Sequence, residues 1–107
     1  MGVEVKPVKW TRRAMRDLSK ISVHNAKILG REKALEIAHK IIDAPRILES
    51  PEYDFKNIGS IDEAFSHLKQ EYRKIFYTNY KITYRNGKAK IYITRVFDTR
   101  QNPNKNK

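Results

Sequence analysis

Cysteine is absent from this chain, so neither a disulfide framework nor a thiolate metal site is open to it. Glycine is scarce, with four among 107 residues, and no glycine-rich loop for cradling a nucleotide phosphate occurs. No apolar run approaches the roughly 20 residues of a membrane-spanning helix. The opening MGVEVKPVKW also lacks the long apolar stretch of a signal peptide. The expectation is a cytoplasmic protein with no membrane association. His24, His39 and His67 share no ligand spacing, and no paired carboxylates or Ser-His-Asp order stand out, so no metal and no cofactor is expected. Acidic residues are few as well: 12 against 23 Lys and Arg, a formal net charge of +11.

With 39% hydrophobic and 33% charged residues, the composition is that of a globular chain, and its length suits one domain over residues 1–107. The polar stretch 101–107 reads as a flexible tail. Charge is unevenly spread. Residues 71–107 hold ten of the basic residues and only two acids, Glu71 and Asp98. Such a field calls for an acidic partner, whether nucleic acid or protein.

The same third of the chain carries the clearest local pattern. Tyr80, Ile82 and Tyr84 alternate with Lys81, Thr83 and Arg85, the two-residue period of a strand with one buried and one solvated face. Asn86-Gly87 predicts a type I′ turn, and Ala89 to Phe97, rich in β-branched and aromatic residues, predicts the returning strand. Upstream, Val3 to Trp10 reads as a short or edge strand because Pro7 cannot donate a ladder hydrogen bond. Thr11 is a fair N-cap for a helix whose stripe is Ala14, Leu18, Ile21 and Asn25, with Met15 and Ile28 beside it. Gly30 marks its end. A second helix over Arg31 to Asp43 shows Ala34, Ile37, Ala38 and Ile41, widened by Leu35 and Ile42, and Pro45 stops it. Residues 44–60 read as a loop pinned by its apolar side chains, and Ser60-Ile61-Asp62-Glu63 as a capping box for a short helix ending near Gln70. The fold class that follows is α+β, an N-terminal helical hairpin packed on a small antiparallel sheet.

Four stretches in this order are familiar: Val8-Lys9-Trp10-Thr11 leading to Ala14 and Asp17-Leu18; Glu71-Tyr72-Arg73-Lys74-Ile75; Tyr80-Lys81-Ile82-Thr83-Tyr84; and Val96-Phe97-Asp98-Thr99-Arg100-Gln101-Asn102-Pro103. With the element order β-α-α-β-β-β they resemble the RelE/ParE superfamily of toxins from bacterial type II toxin–antitoxin systems. The resemblance implies a growth-inhibiting toxin of a plasmid-stabilisation-like system, neutralised by a cognate antitoxin. It implies one of two targets. ParE-like members block DNA gyrase; RelE-like members cut mRNA on the ribosome without a metal, using basic residues of the central strands and C-terminus. By position Arg73 matches a strand lysine of RelE-like toxins, Lys81 the arginine after the next strand's tyrosine, and Arg100 the late arginine. Ile75 stands where a second lysine belongs, and the C-terminal tyrosine of some RelE-like toxins has no counterpart, since the last tyrosine is Tyr92. These departures incline the expectation to the gyrase block and leave enzymatic activity open.

A metal-free ribonuclease needs fixed cations around a phosphorane that carries more negative charge than the ground state. Arg73, Lys81 and Arg100 are the catalytic candidates under the RelE-like alternative, which requires them to sit together, with Lys81 the candidate base. Lys74, Arg85, Lys90 and Arg95 are candidate contacts to nucleic acid or another target. Beside this stands the plainer reading that basic residues on an outer sheet face are solvated and guard against edge aggregation. Tyr72, Tyr77, Tyr80, Tyr84 and Tyr92 could stack on bases, although strand aromatics more often pack in the core. A basic nucleic-acid-binding module outside the toxin superfamily is the remaining alternative.

Overall fold

The computed structural model describes residues 6–49, 59–65, 67–68 and 71–101. Strand β1 (Val8–Trp10) leads into helix α1 (Arg12–Leu29) and helix α2 (Arg31–Asp43), followed by a 3₁₀ segment, Ala44–Glu49. Then come β2 (Ser60–Ile61), a 3₁₀ turn (Glu63–Phe65), β3 (Arg73–Tyr77), β4 (Tyr80–Asn86) and β5 (Ile91–Asp98). The five strands form one sheet in the order β1-β5-β4-β3-β2. The helical hairpin and the β3-β4-β5 meander stand as the residue pattern predicts, but the sheet is mixed. Strand β1 pairs parallel to β5, Val8 opposite Ile91 and Trp10 opposite Ile93, because the two helices carry the chain across the sheet between them.

Thr11 does two jobs at the start of α1. Its Oγ1 accepts from the Ala14 N–H at 3.2 Å, the N-cap contact worth about 1 kcal/mol, and donates to the Ile93 carbonyl at 2.8 Å. The helix is thereby fixed to β5. Gly30, at φ +91°, separates the helices in a backbone conformation that an L side chain resists. The Gly30 N–H bonds to the Ala26 carbonyl and the Gly30 carbonyl accepts from Ala34, so this one residue closes α1 and opens α2. Met15, Ile28, Leu35 and Ile42, expected at the margins of the apolar stripes, are 40–65% exposed. The buried faces are narrower than the sequence suggests.

The core lies between this hairpin and one sheet face. Ala14, Leu18, Ala38 and Ile41 meet Tyr80, Ile82, Tyr84, Ile91, Ile93 and Val96, with Trp10, Ile37, Ile75 and Tyr77 packed around them. The one buried polar side chain of α1, Asn25, is satisfied across the interface by donating to the Tyr80 hydroxyl at 3.0 Å.

Three local expectations are corrected. The β4–β5 connection is not a type I′ turn: Asn86 still belongs to β4, and neither it nor Gly87 has positive φ. The Gly87 N–H instead bonds to the Lys90 carbonyl at 2.8 Å, giving a four-residue loop. The positive φ lies at the β3–β4 turn, where Thr78 has φ 49° between Tyr77 and Tyr80, which pair directly. Finally, Ser60 caps no helix. It sits in β2, and Asp62 Oδ1 accepts from the Ala64 N–H at 3.2 Å to start only a short 3₁₀ turn. Of the loop expected over 44–60, residues 44–49 are helical and 50–58 lie outside the described residues, as do 1–5 of the N-terminal strand and 102–107 of the tail.

Candidate functional site

The three cations that a shared phosphate site would need do not meet. Arg73 lies directly opposite Tyr84 on the neighbouring strand, so both point to the same sheet face, the one that Tyr84 presents to the helices. Lys81 alternates with Tyr80 and Ile82 and therefore points to the other face, in a row between Phe76 and Phe97. Arg100 follows β5 beyond Asp98, which lies opposite Tyr80, four residues along β4 from Tyr84. At about 3.3 Å per residue, that puts the Arg73 and Arg100 backbones at ends of the sheet roughly 13 Å apart along the strand direction alone.

Each of the three is also held by its own partners. The Arg73 guanidinium donates to the Gly59 carbonyl and to Glu71 Oε2, the latter at 3.2 Å, and it hydrogen-bonds the Tyr84 hydroxyl. Burial pushes the Tyr84 phenol above its ordinary value, and the Arg73 bond and charge oppose that without cancelling it. Lys81 Nζ sits 2.9 Å from Asp62 Oδ1, under the Phe65 ring at 5.7 Å, while Asp62 Oδ2 accepts from the Thr83 hydroxyl at 2.6 Å. With Asp62 1% and Lys81 8% exposed, this ion pair is inside the protein rather than on a solvated sheet face. Arg100 forms a two-point contact to Asp98, Nε at 3.1 Å and an Nη at 2.9 Å. Burial alone would raise the Asp98 carboxyl, but the Arg100 side chain, the Arg100 N–H and the Asn79 amide together bring it below the ordinary value. The same contact raises Arg100.

The four target-contact candidates are dispersed too. Lys74 lies 5.9 Å over the Phe76 ring and Arg85 4.6 Å over the Tyr92 ring, both on the sheet face away from the helices. Lys90 lies in the β4–β5 loop and holds it through its carbonyl. Arg95 donates through Nε to Asp17 of α1 at 2.8 Å. Of the tyrosines, Tyr80 and Tyr84 are buried and Tyr77 packs on the core. Tyr72 lies against Phe65, ring centres 5.6 Å apart. Tyr92 lies on the outer face, beneath Arg85.

Two acids that the sequence did not single out as site residues organise this arrangement. Asp62 is one. Asp17 is the other: β5 carries a bulge at Thr94, set between the Thr83–Arg95 and Tyr84–Ile93 pairs. Asp17 Oδ2 accepts both the Arg95 Nε and the Val96 N–H, the latter at 3.0 Å, on the edge of β5 opposite β4, where the pairing with β1 has already ended at Ile93. In a chain with 12 acids and 23 basic residues the signal was scarcity, since an acid next to apolar neighbours has many cations competing for it.

Between this part of β5 and α1 runs a groove. Its first section, about 530 Å³, is bordered by Arg13, Arg16, Lys20 and Arg95. A second, about 610 Å³, lies among Ile28, Leu29, Ile37, Tyr77 and Arg100, and the two sections share His24, Asn25, Asp98 and Gln101. Among the described residues, no cluster of three or more His, Asp or Glu is placed to hold a metal ion, and no helix is long and apolar enough to cross a membrane.

Comparison with known proteins accords with this architecture. A solved structure described as "Chromosomal ParDE TA system from P. aeruginosa" superposes with a TM-score of 0.72 over 88% of this chain and 96% of that one, at 24% sequence identity, a likeness of fold. No curated protein matches the sequence. The profile of the ParE toxin of the type II toxin–antitoxin system parDE matches residues 8–103, which takes in both helices and β1, β3, β4 and β5. A match of that extent, on a helical hairpin packed against a β5-β4-β3 meander, makes this chain a member of the ParE toxin family, whose members are paired with a cognate antitoxin.

Proposed function

We propose that this toxin acts in the cytoplasm by binding and blocking DNA gyrase, with no bond-breaking chemistry of its own, and that a cognate antitoxin neutralises it. The observation that carries the reading is the separation of Arg73, Lys81 and Arg100. Stabilising a pentavalent phosphate requires several fixed cations converging on one point, and the stabilisation must exceed that given to the ground state. Here one cation faces the helices, one is buried beneath Phe65 with Asp62, and one stands at the far end of the sheet with Asp98. Lys81 is a poor candidate for a base as well, because its Nζ is already engaged by Asp62 Oδ1 at 2.9 Å and the side chain is buried away from any substrate. A binding inhibitor needs only a shaped, charged surface, and this chain has one.

The test is supercoiling of relaxed plasmid by purified gyrase in the presence of the purified toxin, together with RNA sequencing after induced expression. The expected outcome is lost supercoiling or trapped double-strand breaks, with message ends unchanged at early times. Ribosome-dependent cleavage of messages with gyrase unaffected would overturn it and return the assignment to a ribonuclease.

A further inference from the structure

The two helices divide the charge of the hairpin unequally. Helix α1 carries five basic residues, Arg12, Arg13, Arg16, Lys20 and Lys27, against one acid, whereas α2 carries three of each sign. On α2 the signs are interleaved: Lys33 reaches Glu36 at 3.4 Å and Asp43 meets Arg46 at 3.7 Å, as on an ordinary solvated face. The lone acid of α1, Asp17, is engaged by Arg95 and the Val96 N–H of β5. Among the described residues Arg12, Arg16, Lys20 and Lys27 pair with no acid, and all four are exposed. At 3.6 residues per turn they fall within about 80° around the helix axis, in a row roughly 22 Å long. A recess of about 320 Å³ lined by Ser19, Lys20, Val23, His24 and Lys27 opens on the same flank. Arg12 and Arg13 also stand in the first turn, where no acid balances them and the helix dipole disfavours a cation. Cations held there at the expense of the helix point to a polyanion outside the chain.

We infer that this row lies along the phosphate backbone of duplex DNA and grips it without regard to base sequence. Charge complementarity calls for a polyanion, and the make-up of α1 selects which one. The helix has no aromatic residue on which an unpaired base could stack, which sets single strands aside. Its apolar face, with Ala14, Leu18 and Ile21, is taken up by the sheet, so no such face remains to enter a bilayer. A row of cations with Val23 as its one apolar member offers no anchor for a peptide side chain. It does match a regular array of charges, and a duplex presents one per roughly 1.7 Å of its axis, so that the row faces about six base pairs. The choice of DNA over duplex RNA rests on the gyrase reading, because gyrase holds duplex DNA beside an inhibitor bound to it.

The probe is a fluorescently labelled DNA duplex of about 20 base pairs, added to the intact chain without gyrase and followed by anisotropy from about 50 to 200 mM KCl. Four backbone contacts set the expected slope of log K against log salt at about −3 to −4, and a second duplex of unrelated sequence should bind equally. The triple variant Arg16→Gln, Lys20→Gln and Lys27→Gln should weaken binding at least roughly thirtyfold at the lowest salt and reduce the slope by about three. The matched triple on α2, Arg31→Gln, Lys33→Gln and Lys40→Gln, removes the same net charge and should weaken binding no more than about threefold. Circular dichroism checks that both variants are folded. The inference fails if the duplex does not bind at the lowest salt or if the two triple variants lose affinity equally. It fails too if a single strand, duplex RNA or an acidic polypeptide of equal charge displaces the probe more effectively than unlabelled duplex DNA does. Gyrase inhibition is scored separately. Absent DNA binding with gyrase still blocked ends this inference alone, and message cleavage with DNA binding intact ends only the gyrase reading.

Discussion

Asp62 and Lys81 form an ion pair of 2.9 Å beneath the Phe65 ring, and it joins the 59–65 segment to the sheet face that the helices leave uncovered. Strand β2 is only two residues long, so its ladder bonds to β3 hold little, and this pair with the Thr83 hydroxyl supplies much of the remaining attachment. Removing one partner leaves a buried charge uncompensated, which costs about 3–5 kcal/mol, whereas replacing both with apolar groups of similar volume is often close to neutral. Asp62→Ala should therefore lower the urea midpoint sharply, and Asp62→Leu with Lys81→Met should regain most of the loss. If the double variant were as unstable as the single one, the pair would be contributing more than charge neutralisation.

A consequence concerns toxicity assays. Lys81→Ala removes the cation from the Asp62 side of the same pair, so loss of growth inhibition in that variant is expected to follow loss of folded protein. Soluble yield and the urea midpoint measured beside toxicity separate the two. Full stability with abolished toxicity would show Lys81 acting on the target directly.

Thr78 holds φ 49° in the two-residue β3–β4 turn, in a region that a β-branched side chain enters only under strain. The Thr78 hydroxyl donates to Asn79 Oδ1 at 3.3 Å, an exposed bond that offsets little of this. Thr78→Gly should stabilise the protein by about 0.5–1 kcal/mol, the relief of strain exceeding the extra chain entropy lost on folding. The check is a thermal midpoint raised by a few degrees; an unchanged or lowered midpoint would mean the turn carries no such strain.

How much of this was legible in the sequence follows from the range of each interaction. Periodicity placed Tyr80, Ile82 and Tyr84 on one face and Lys81 and Thr83 on the other, because the strand period is local and survives in any context. Thr11 was readable as a cap and Gly30 as a break for the same reason. The Asn86-Gly87 dipeptide misled, because strand pairing with β5 runs on through Asn86 and moves the turn by one residue, which turn chemistry alone does not register. The cluster of Arg73, Lys81 and Arg100 failed on a more basic count. Odd-numbered residues along two adjacent strands share a face only if the register between the strands allows it. Here Arg73 pairs with Tyr84 and Lys81 with Phe76. Register is set by the turn at Thr78 and Asn79, which was not read as a turn. Long-range acids were least legible: Asp17 and Arg95 are 78 residues apart, and their bond depends on a bulge that no local pattern announces.

Gly87 is retained for space rather than for backbone freedom. A Cβ there would stand 2.5 Å from the Tyr92 ring and 2.8 Å from the Lys90 carbonyl, and the ring is pressed from its face by Arg85 at 4.6 Å. Gly87→Ala should cost about 1–3 kcal/mol, the usual penalty for overpacking. Shortening the ring in the double variant Gly87→Ala with Tyr92→Leu should return part of it. Equal midpoints for Gly87→Ala and the parent would show the loop free to move away.

Asp98 gives the clearest pH dependence. Its carboxyl titrates below the ordinary value in the folded protein, because the bonds from Arg100 and Asn79 outweigh the effect of burial. A depressed folded value means the unfolded chain takes up the proton first as pH falls. The stabilisation is therefore complete above the unfolded value of about 3.9 and is lost as pH drops through the lower folded value. Asp98→Asn removes the charge at every pH. At neutral pH it should lose about 1–2 kcal/mol, chiefly the charge-assisted bonds from the Asn79 amide at 2.8 Å and the Arg100 N–H at 3.0 Å. Arg100 itself contributes little to that figure, since its side chain is 62% exposed and water screens the pair. Thermal midpoints of the parent and Asp98→Asn should thus differ from neutral pH down to about pH 5 and converge toward pH 2. Raising the salt to about 1 M should remove only a small part of the difference at neutral pH, because the two short bonds to uncharged donors do not depend on long-range attraction. A difference that persisted undiminished at pH 2 would mean the carboxylate charge is not what Asp98 contributes.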